Sequence, residues 1–174
     1  AKGNNAIAIG YNASTTGENT IAMGMTANAN KEGSIAIGRQ SNTAGNYGIA
    51  VGYNASSSTT NDNAIALGRN TVAGSDSAVA VGLGAQATGA FSLAASRYSK
   101  ASGQESISVG TNANTSAGYA VAIGSSANAT AAGAVALGQS AKAVNAQDVA
   151  LGAGSTSGAK NALTSIKISG TTEV

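Results

Sequence analysis

The pentapeptide Ala6-Ile7-Ala8-Ile9-Gly10 alternates small and large residues and closes on glycine. It returns as TIAMG ending at Gly24 and as SIAIG ending at Gly38. The closing residue continues as Gly52, Gly68, Gly82, then Ser96 in place of glycine, then Gly110, Gly124, Gly138 and Gly152. Every interval is fourteen residues except Gly52 to Gly68, which is sixteen. Alternation over so short a run, rich in β-branched residues, specifies a strand. A helical period and a helix-compatible glycine content are both absent.

Between the pentapeptides, small residues stand three and five positions after the glycine, as at Ala27 and Ala29 or Ala127 and Ala129. They alternate with polar ones and predict a second strand. One coil is therefore strand, glycine turn, strand, and a second turn near Gly17, Gly45, Gly89 or Gly103. Such repeats make a solenoid, because each unit buries its faces only against its neighbours. The fold class is all-β, a parallel β-roll of fourteen-residue coils over residues 1–157, with 158–174 as a C-terminal cap or the start of a neck. Eleven coils stacked at strand spacing give a rod of about 50 Å. The recurring glycine supplies positive φ where the chain reverses.

Composition agrees with repetition rather than an aromatic core: 174 residues, 3% aromatic, 9% charged, and no Pro, Trp, Cys or His. The net charge of +2 comes from scattered single charges, not a basic run, so nucleic acid is a poor partner. Lack of cysteine removes disulfides and thiolate metal sites and leaves the compartment open. No run approaches eighteen apolar residues, and the start lacks a charged segment followed by an apolar one. If the protein is exported, its signal and any membrane anchor lie outside this stretch.

A roll this thin has little interior to bury. In each first strand the large residues share one face and the small ones the other. The large set is Ile7, Ile9, Ile21, Ile35, Ile37, Ile49, Val51, Ile65, Leu67, Val79, Val81, Val121, Ile123, Val135 and Leu137. Two arrangements are open. With the small face inward, the aliphatic stripe lies outside and demands partners; three such stripes around an axis fill a prism and make a homotrimer. With the aliphatics inside, the small face becomes the seam. The first is favoured, because alanine leaves the middle of a prism empty.

The [small]-[Ile/Val]-Ala-[Ile/Val/Leu]-Gly strand, followed by x-x-Ala-x-Ala at a fourteen-residue period, resembles the head of trimeric autotransporter adhesins of the Yersinia-adhesin type, over residues 1 to about 157. The resemblance implies a left-handed parallel β-roll and three chains side by side. It implies display on a stalk at the Gram-negative outer membrane, with the membrane reached only through a C-terminal anchor absent from this sequence. It also implies attachment to host matrix proteins such as collagen, fibronectin or laminin, or to epithelial carcinoembryonic-antigen-type receptors. Departures are the degenerate SLAAS at Ser92–Ser96, the sixteen-residue coil within Tyr53–Ala64, and a tail after Gly152 without a clear neck motif.

Catalysis lacks its parts. There is no His or Cys, and Glu18, Glu32, Asp62, Asp76, Glu105, Asp148 and Glu173 fall mostly in separate coils, without the pairing that glycoside hydrolysis uses. Hexapeptide-repeat acyltransferases have an eighteen-residue coil and a histidine base, neither found here. Calcium-binding β-rolls repeat aspartate in every coil, which this chain does not. An ice-binding solenoid needs an unbroken threonine ladder, and Thr15, Thr43 and Thr115 are interrupted by Ala and Ser; that reading is the weaker alternative. No cofactor or metal is expected.

A fixed offset from the glycine is a fixed column on the rod. One residue after it stand Tyr11, Met25, Arg39, Tyr53, Arg69, Leu83 and Arg97, then small or polar residues from Thr111 onward. Tyr and Arg are enriched in binding hot spots, so Tyr11, Met25, Arg39, Tyr53, Arg69 and Arg97 are the candidate ligand-binding residues. The same side chains also suit simple cover of neighbouring backbone. A second column, five before the glycine, holds Tyr47, Phe91 and Tyr119, expected at a turn edge. The insertion Ser56–Asn63 is polar and expected to protrude. The expected function is a non-catalytic adhesin head that multiplies weak contacts by trimeric display. The alternative is a passive spacer projecting another binding domain.

Overall fold

Strands of two or three residues gain order by stacking on copies of themselves. The computed structural model describes residues 1–57 and 63–158. Its strands alternate between two sheets. The odd-numbered strands, from β1 (Ile7–Ile9) and β3 (Ile21–Met23) to β21 (Val149–Leu151), form an eleven-stranded sheet in sequence order. The even-numbered ones, from β2 (Ser14–Thr15) to β20 (Lys142–Ala143), form a ten-stranded sheet. All pairings are parallel, and equivalent residues of successive coils sit opposite each other, as Ile7 does Ile21 and Ala8 does Ala22. Ten steps between eleven strands make the first sheet about 48 Å long.

The register absorbs the sixteen-residue coil without slipping. Ile49 pairs with Ile65 and Val51 with Leu67 in the first sheet, and Ser56 with Val72 in the second. The two extra residues therefore fall between Ser57 and Asn63. Of the expected protruding loop, residues 58–62 lie outside the described residues, as do residues 159–174 of the expected C-terminal segment.

The small faces of both sheets point into the roll. Ala22, Ala36, Ala50, Ala66, Ala80, Ala122 and Ala136 of the first sheet are fully buried, as are Ala29, Ala73, Ala87 and Ala129 of the second. The bulkiest fully buried side chains are threonines: Thr15, Thr20, Thr43, Thr71 and Thr115. Sheets joined by such tight turns approach too closely for branched aliphatics, so the arrangement with aliphatics inside the roll is not adopted. Buried hydroxyls are mostly satisfied by nearby backbone. Ser34 Oγ donates to the Lys31 carbonyl at 2.7 Å, and Ser92 Oγ to that of Gly89 at 2.6 Å.

The closing glycine answers to two constraints. Its φ is +128° at Gly10 and +132° at Gly24, a conformation L side chains rarely adopt. A Cβ at Gly10 would also lie 2.6 Å from the carbonyl oxygen of Gly24 in the next coil. The second constraint comes from stacking and has no signature within one repeat. Ser96 holds the position at φ +104°. The ladder nonetheless runs through it, with Ser96 N donating to Val81 O at 2.8 Å and Gly110 N to Ala95 O at 3.0 Å. The expected irregularity at Ser96 is confined to that residue's own conformation.

Candidate ligand-binding and assembly surfaces

The two sheets turn opposite chemistries outward. On the first, one column holds Ile21, Ile35, Ile49, Ile65, Val79, Val121 and Val135, all half-buried by their own neighbours. The adjacent column holds Ile37, Leu67, Val81, Ile123 and Leu137, all exposed, with Val51 half-buried. Ile7 and Ile9 in the first coil, and Val149 and Leu151 in the last, are barer still. The result is an apolar strip of roughly 10 Å by 48 Å, interrupted where Ala95 replaces a larger residue. The outward column of the second sheet reads Ser14, Asn28, Asn42, Ser56, Val72, Gln86, Lys100, Asn114, Asn128 and Lys142. Amide side chains bond along it, Asn28 Nδ2 to Asn42 Oδ1 at 3.1 Å and Asn114 Nδ2 to Asn128 Oδ1 at 3.0 Å.

The column after the closing glycine forms a ridge along one edge. Tyr11 is 74% exposed, and Met25, Arg39, Tyr53, Arg69 and Arg97 are exposed as well. Tyr53 lies between two cations: the guanidinium carbons of Arg39 and Arg69 stand 5.5 and 5.8 Å from its ring centroid. Such contacts contribute about 0.5–1 kcal/mol at exposed sites. Arg97 instead reaches Tyr98, at 5.7 Å. The structure thus joins Arg39, Tyr53 and Arg69 into one stack, whereas Tyr11 and Met25 belong to the first two coils and Arg97 to another group.

Acidic residues gather at one edge, which the sequence read residue by residue does not reveal, with Lys31 a cation among them. Glu18, Glu32, Asp76, Glu105 and Asp148 all lie at or beside the turn that leads into the first-sheet strand. Arg39, Arg69 and Arg97 lie at the opposite turn, with Lys100 and Lys142 on the polar sheet beside it. Among the described residues no group of three or more His, Cys, Asp or Glu is placed to hold a metal ion.

Both turns pass through the left-handed region. The residue two past the closing glycine has φ near +55° at Asn12, Asn54, Asn70 and Asn112, and the residue five before the glycine does so at Asn5 and Asn19. Asparagine tolerates this conformation better than other side chains do. Tyr47, Phe91 and Tyr119 occupy the second of these columns with φ of +55°, +57° and +61°, exposed at the turn edge. Tyr98, in the first column at φ +55°, was not singled out from the sequence. Alignment of that column would have found it, since every other member there from Asn12 to Ser140 is non-aromatic. Thr15, Thr43 and Thr115 are buried inside the roll, so they form no outward ladder of the kind ice binding requires.

These surfaces define a class: a parallel β-solenoid rod with an alanine interior, one apolar face and one polar face. Residues 1–27, 29–55, 56–71, 60–85, 73–95, 101–127 and 128–155 each match the family model described as the YadA head domain repeat, two copies. The chain belongs to the family of trimeric autotransporter adhesin heads that this repeat defines. Family membership implies a homotrimer and display at a cell surface. No curated protein matches the chain.

Proposed function

We propose that this chain is the head of a Gram-negative surface adhesin, carried at the outer membrane by segments beyond this sequence. It attaches to host matrix proteins such as collagen, fibronectin or laminin, or to epithelial carcinoembryonic-antigen-type receptors, and acts in virulence. The observation that carries the reading is the outward apolar strip on a roll with an alanine-lined interior. A single chain leaves Ile37, Leu67, Val81, Ile123 and Leu137 in water, and three chains sharing an axis cover them. The same assembly repeats every outward residue three times, so weak contacts combine through effective concentration. The ridge of Tyr11, Met25, Arg39, Tyr53, Arg69 and Arg97 is the proposed contact surface, because aromatic and guanidinium groups are the types enriched in binding hot spots.

The test is an array of matrix proteins and epithelial receptors probed with the purified chain, alongside a variant carrying Arg39→Ala, Tyr53→Ala and Arg69→Ala. Sedimentation establishes that both assemble alike. Loss of binding in the variant supports the ridge. Unchanged binding removes the ridge from the account, and a wild-type chain that attaches to no surface points to the spacer role.

A further inference from the structure

The coils from Gly84 to Asn114 carry a cleft that neither the apolar strip nor the Arg39–Tyr53–Arg69 stack accounts for. It opens to solvent on the polar side, holds about 520 Å³, and is bordered by Gly84, Gln86, Tyr98, Lys100, Asn112 and Asn114. Small-ligand sites occupy roughly 300–1,000 Å³.

Two columns meet there, and among the described residues neither carries a side-chain hydrogen bond between these coils. In the turn column, Asn54 Nδ2 donates to Asn70 Oδ1 at 3.2 Å. Gly84 follows and has no side chain to bond with Asn70. Tyr98 takes the space so released, its Cδ1 lying 2.5 Å from where a Gly84 Cβ would be. The ring is 48% exposed on a backbone at φ +55°, a conformation unfavourable for an aromatic residue. In the sheet column, Asn114 uses its Nδ2 on Asn128, and its Oδ1 has no donor among the described residues. The side chains of Gln86, Lys100 and Asn112 make no hydrogen bond among the described residues, and Lys100 has no ion pair there. Acidic groups sit on the far edge of the roll, while Arg97 stands beside Tyr98.

We propose that this cleft binds an anionic saccharide, a pyranose bearing a carboxylate or a sulfate. The exposed Tyr98 ring gives an apolar platform for the C–H face of a sugar. Lys100 supplies the cation for its acidic group, with Arg97 adding positive potential. Gln86, Asn112 and Asn114 offer amide donors and acceptors, the pairing that ring hydroxyls need. Three copies per assembly raise a weak single contact to a useful one. The inference rests on the adhesive reading, for which it names the ligand class.

The test titrates the purified chain, followed by NMR, with sialyllactose, with a heparin-derived hexasaccharide and with lactose. Binding of either anionic probe without lactose is the expected result. Sialyllactose alone assigns a terminal sugar acid, and the hexasaccharide alone assigns a sulfated chain. Lys100→Gln weakens binding roughly tenfold, the worth of a charged hydrogen bond, and Tyr98→Asn, which keeps a residue tolerant of positive φ, weakens it comparably. Lys142→Gln removes the same charge from the same column where no aromatic adjoins it, and changes binding less than about twofold. Equal loss in Lys142→Gln, equal binding of lactose, or no binding of either anion overturns the proposal. Host-cell attachment separates the two readings: attachment that survives Lys100→Gln with Tyr98→Asn overturns the saccharide site and leaves the adhesive function standing. A wild-type chain that attaches to no cell removes the adhesive function, whatever the sugars do.

Discussion

Tyr47 lies against Gly33, one coil earlier, with both residues in the left-handed region at φ +55° and +63°. Its Cδ1 stands 2.5 Å from where a Gly33 Cβ would project. The phenol hydroxyl donates to Glu32 Oε1 at 2.9 Å, which holds the ring down over the preceding turn. Gly84 and Tyr98 repeat the relationship at the opposite turn. At these two positions an aromatic residue in a costly conformation is matched to a glycine that makes room for it, whereas Phe91 and Tyr119 follow Ser77 and Glu105.

Gly33→Ala should therefore cost more than the conformational penalty alone, which is about 1–2 kcal/mol for an L residue at this φ. The added methyl displaces the Tyr47 ring and its bond to Glu32. Gly133 provides the comparison: it sits in the same column at φ +65°, but its Cβ would meet only Gln147 Cγ, at an ordinary 3.7 Å. Gly133→Ala should lose the conformational term and little else. Denaturant unfolding at one fixed protein concentration measures both, and equal losses would show that the ring is not held by the glycine.

The closing column gives a prediction of opposite sign. Ser96 adopts φ +104°, and such strain costs on the order of 1–3 kcal/mol, offset by about 0.5–1 kcal/mol of extra chain entropy when glycine replaces it. Ser96→Gly should raise the thermal midpoint. Gly124→Ala, whose Cβ would lie 2.6 Å from the carbonyl carbon of Gly138, should lower it sharply or prevent assembly. A neutral Gly124→Ala would mean that the coils have slack between them.

Much of this was legible in the sequence because a solenoid converts period into position. Gly10, Gly24 and Gly38 fix the register of both sheets, and once register is known each column follows. The direction of the faces was less accessible: Ile7-Ala8-Ile9 alternates identically whichever side turns inward, and only the narrow gap between the sheets decides. The cleft was missed for a different reason. Gly84, Tyr98 and Lys100 come from two columns and two coils, and what singles them out is the room that Gly84 leaves for the Tyr98 ring beside Lys100, visible only when neighbours across coils are known.

Ser108 is the one hydroxyl in a column otherwise filled by alanine, at Ala94 before it and Ala122 after it. It is fully buried, and its Oγ has no hydrogen-bond partner. A buried polar group without a partner costs about 1–3 kcal/mol. Ser108→Ala removes the group without opening a cavity, since alanine fits the same place in neighbouring coils. Stability should rise by roughly 1 kcal/mol, read as a higher denaturant midpoint with an unchanged slope. A fall instead would reveal a water molecule bonded there.

The strongest separation of fold from assembly comes from charging each outward face in turn. Ile37 and Leu137 project from the first sheet, 37% and 40% exposed in the single chain, whereas Val72 projects from the second between Ser56 and Gln86. If the aliphatic strip is covered by two further copies, Ile37→Lys and Leu137→Lys each place an unpaired ammonium in an apolar seam, a cost of several kcal/mol multiplied by three in a symmetric assembly. Sedimentation should then show dissociation or loss of soluble protein. Val72→Lys adds the same side chain to a face already carrying Lys100 and Lys142, and should leave both the sedimentation coefficient and the far-ultraviolet β signal unchanged. Should Ile37→Lys assemble as the wild type does while Val72→Lys dissociates, the polar sheet and not the aliphatic one would line the axis.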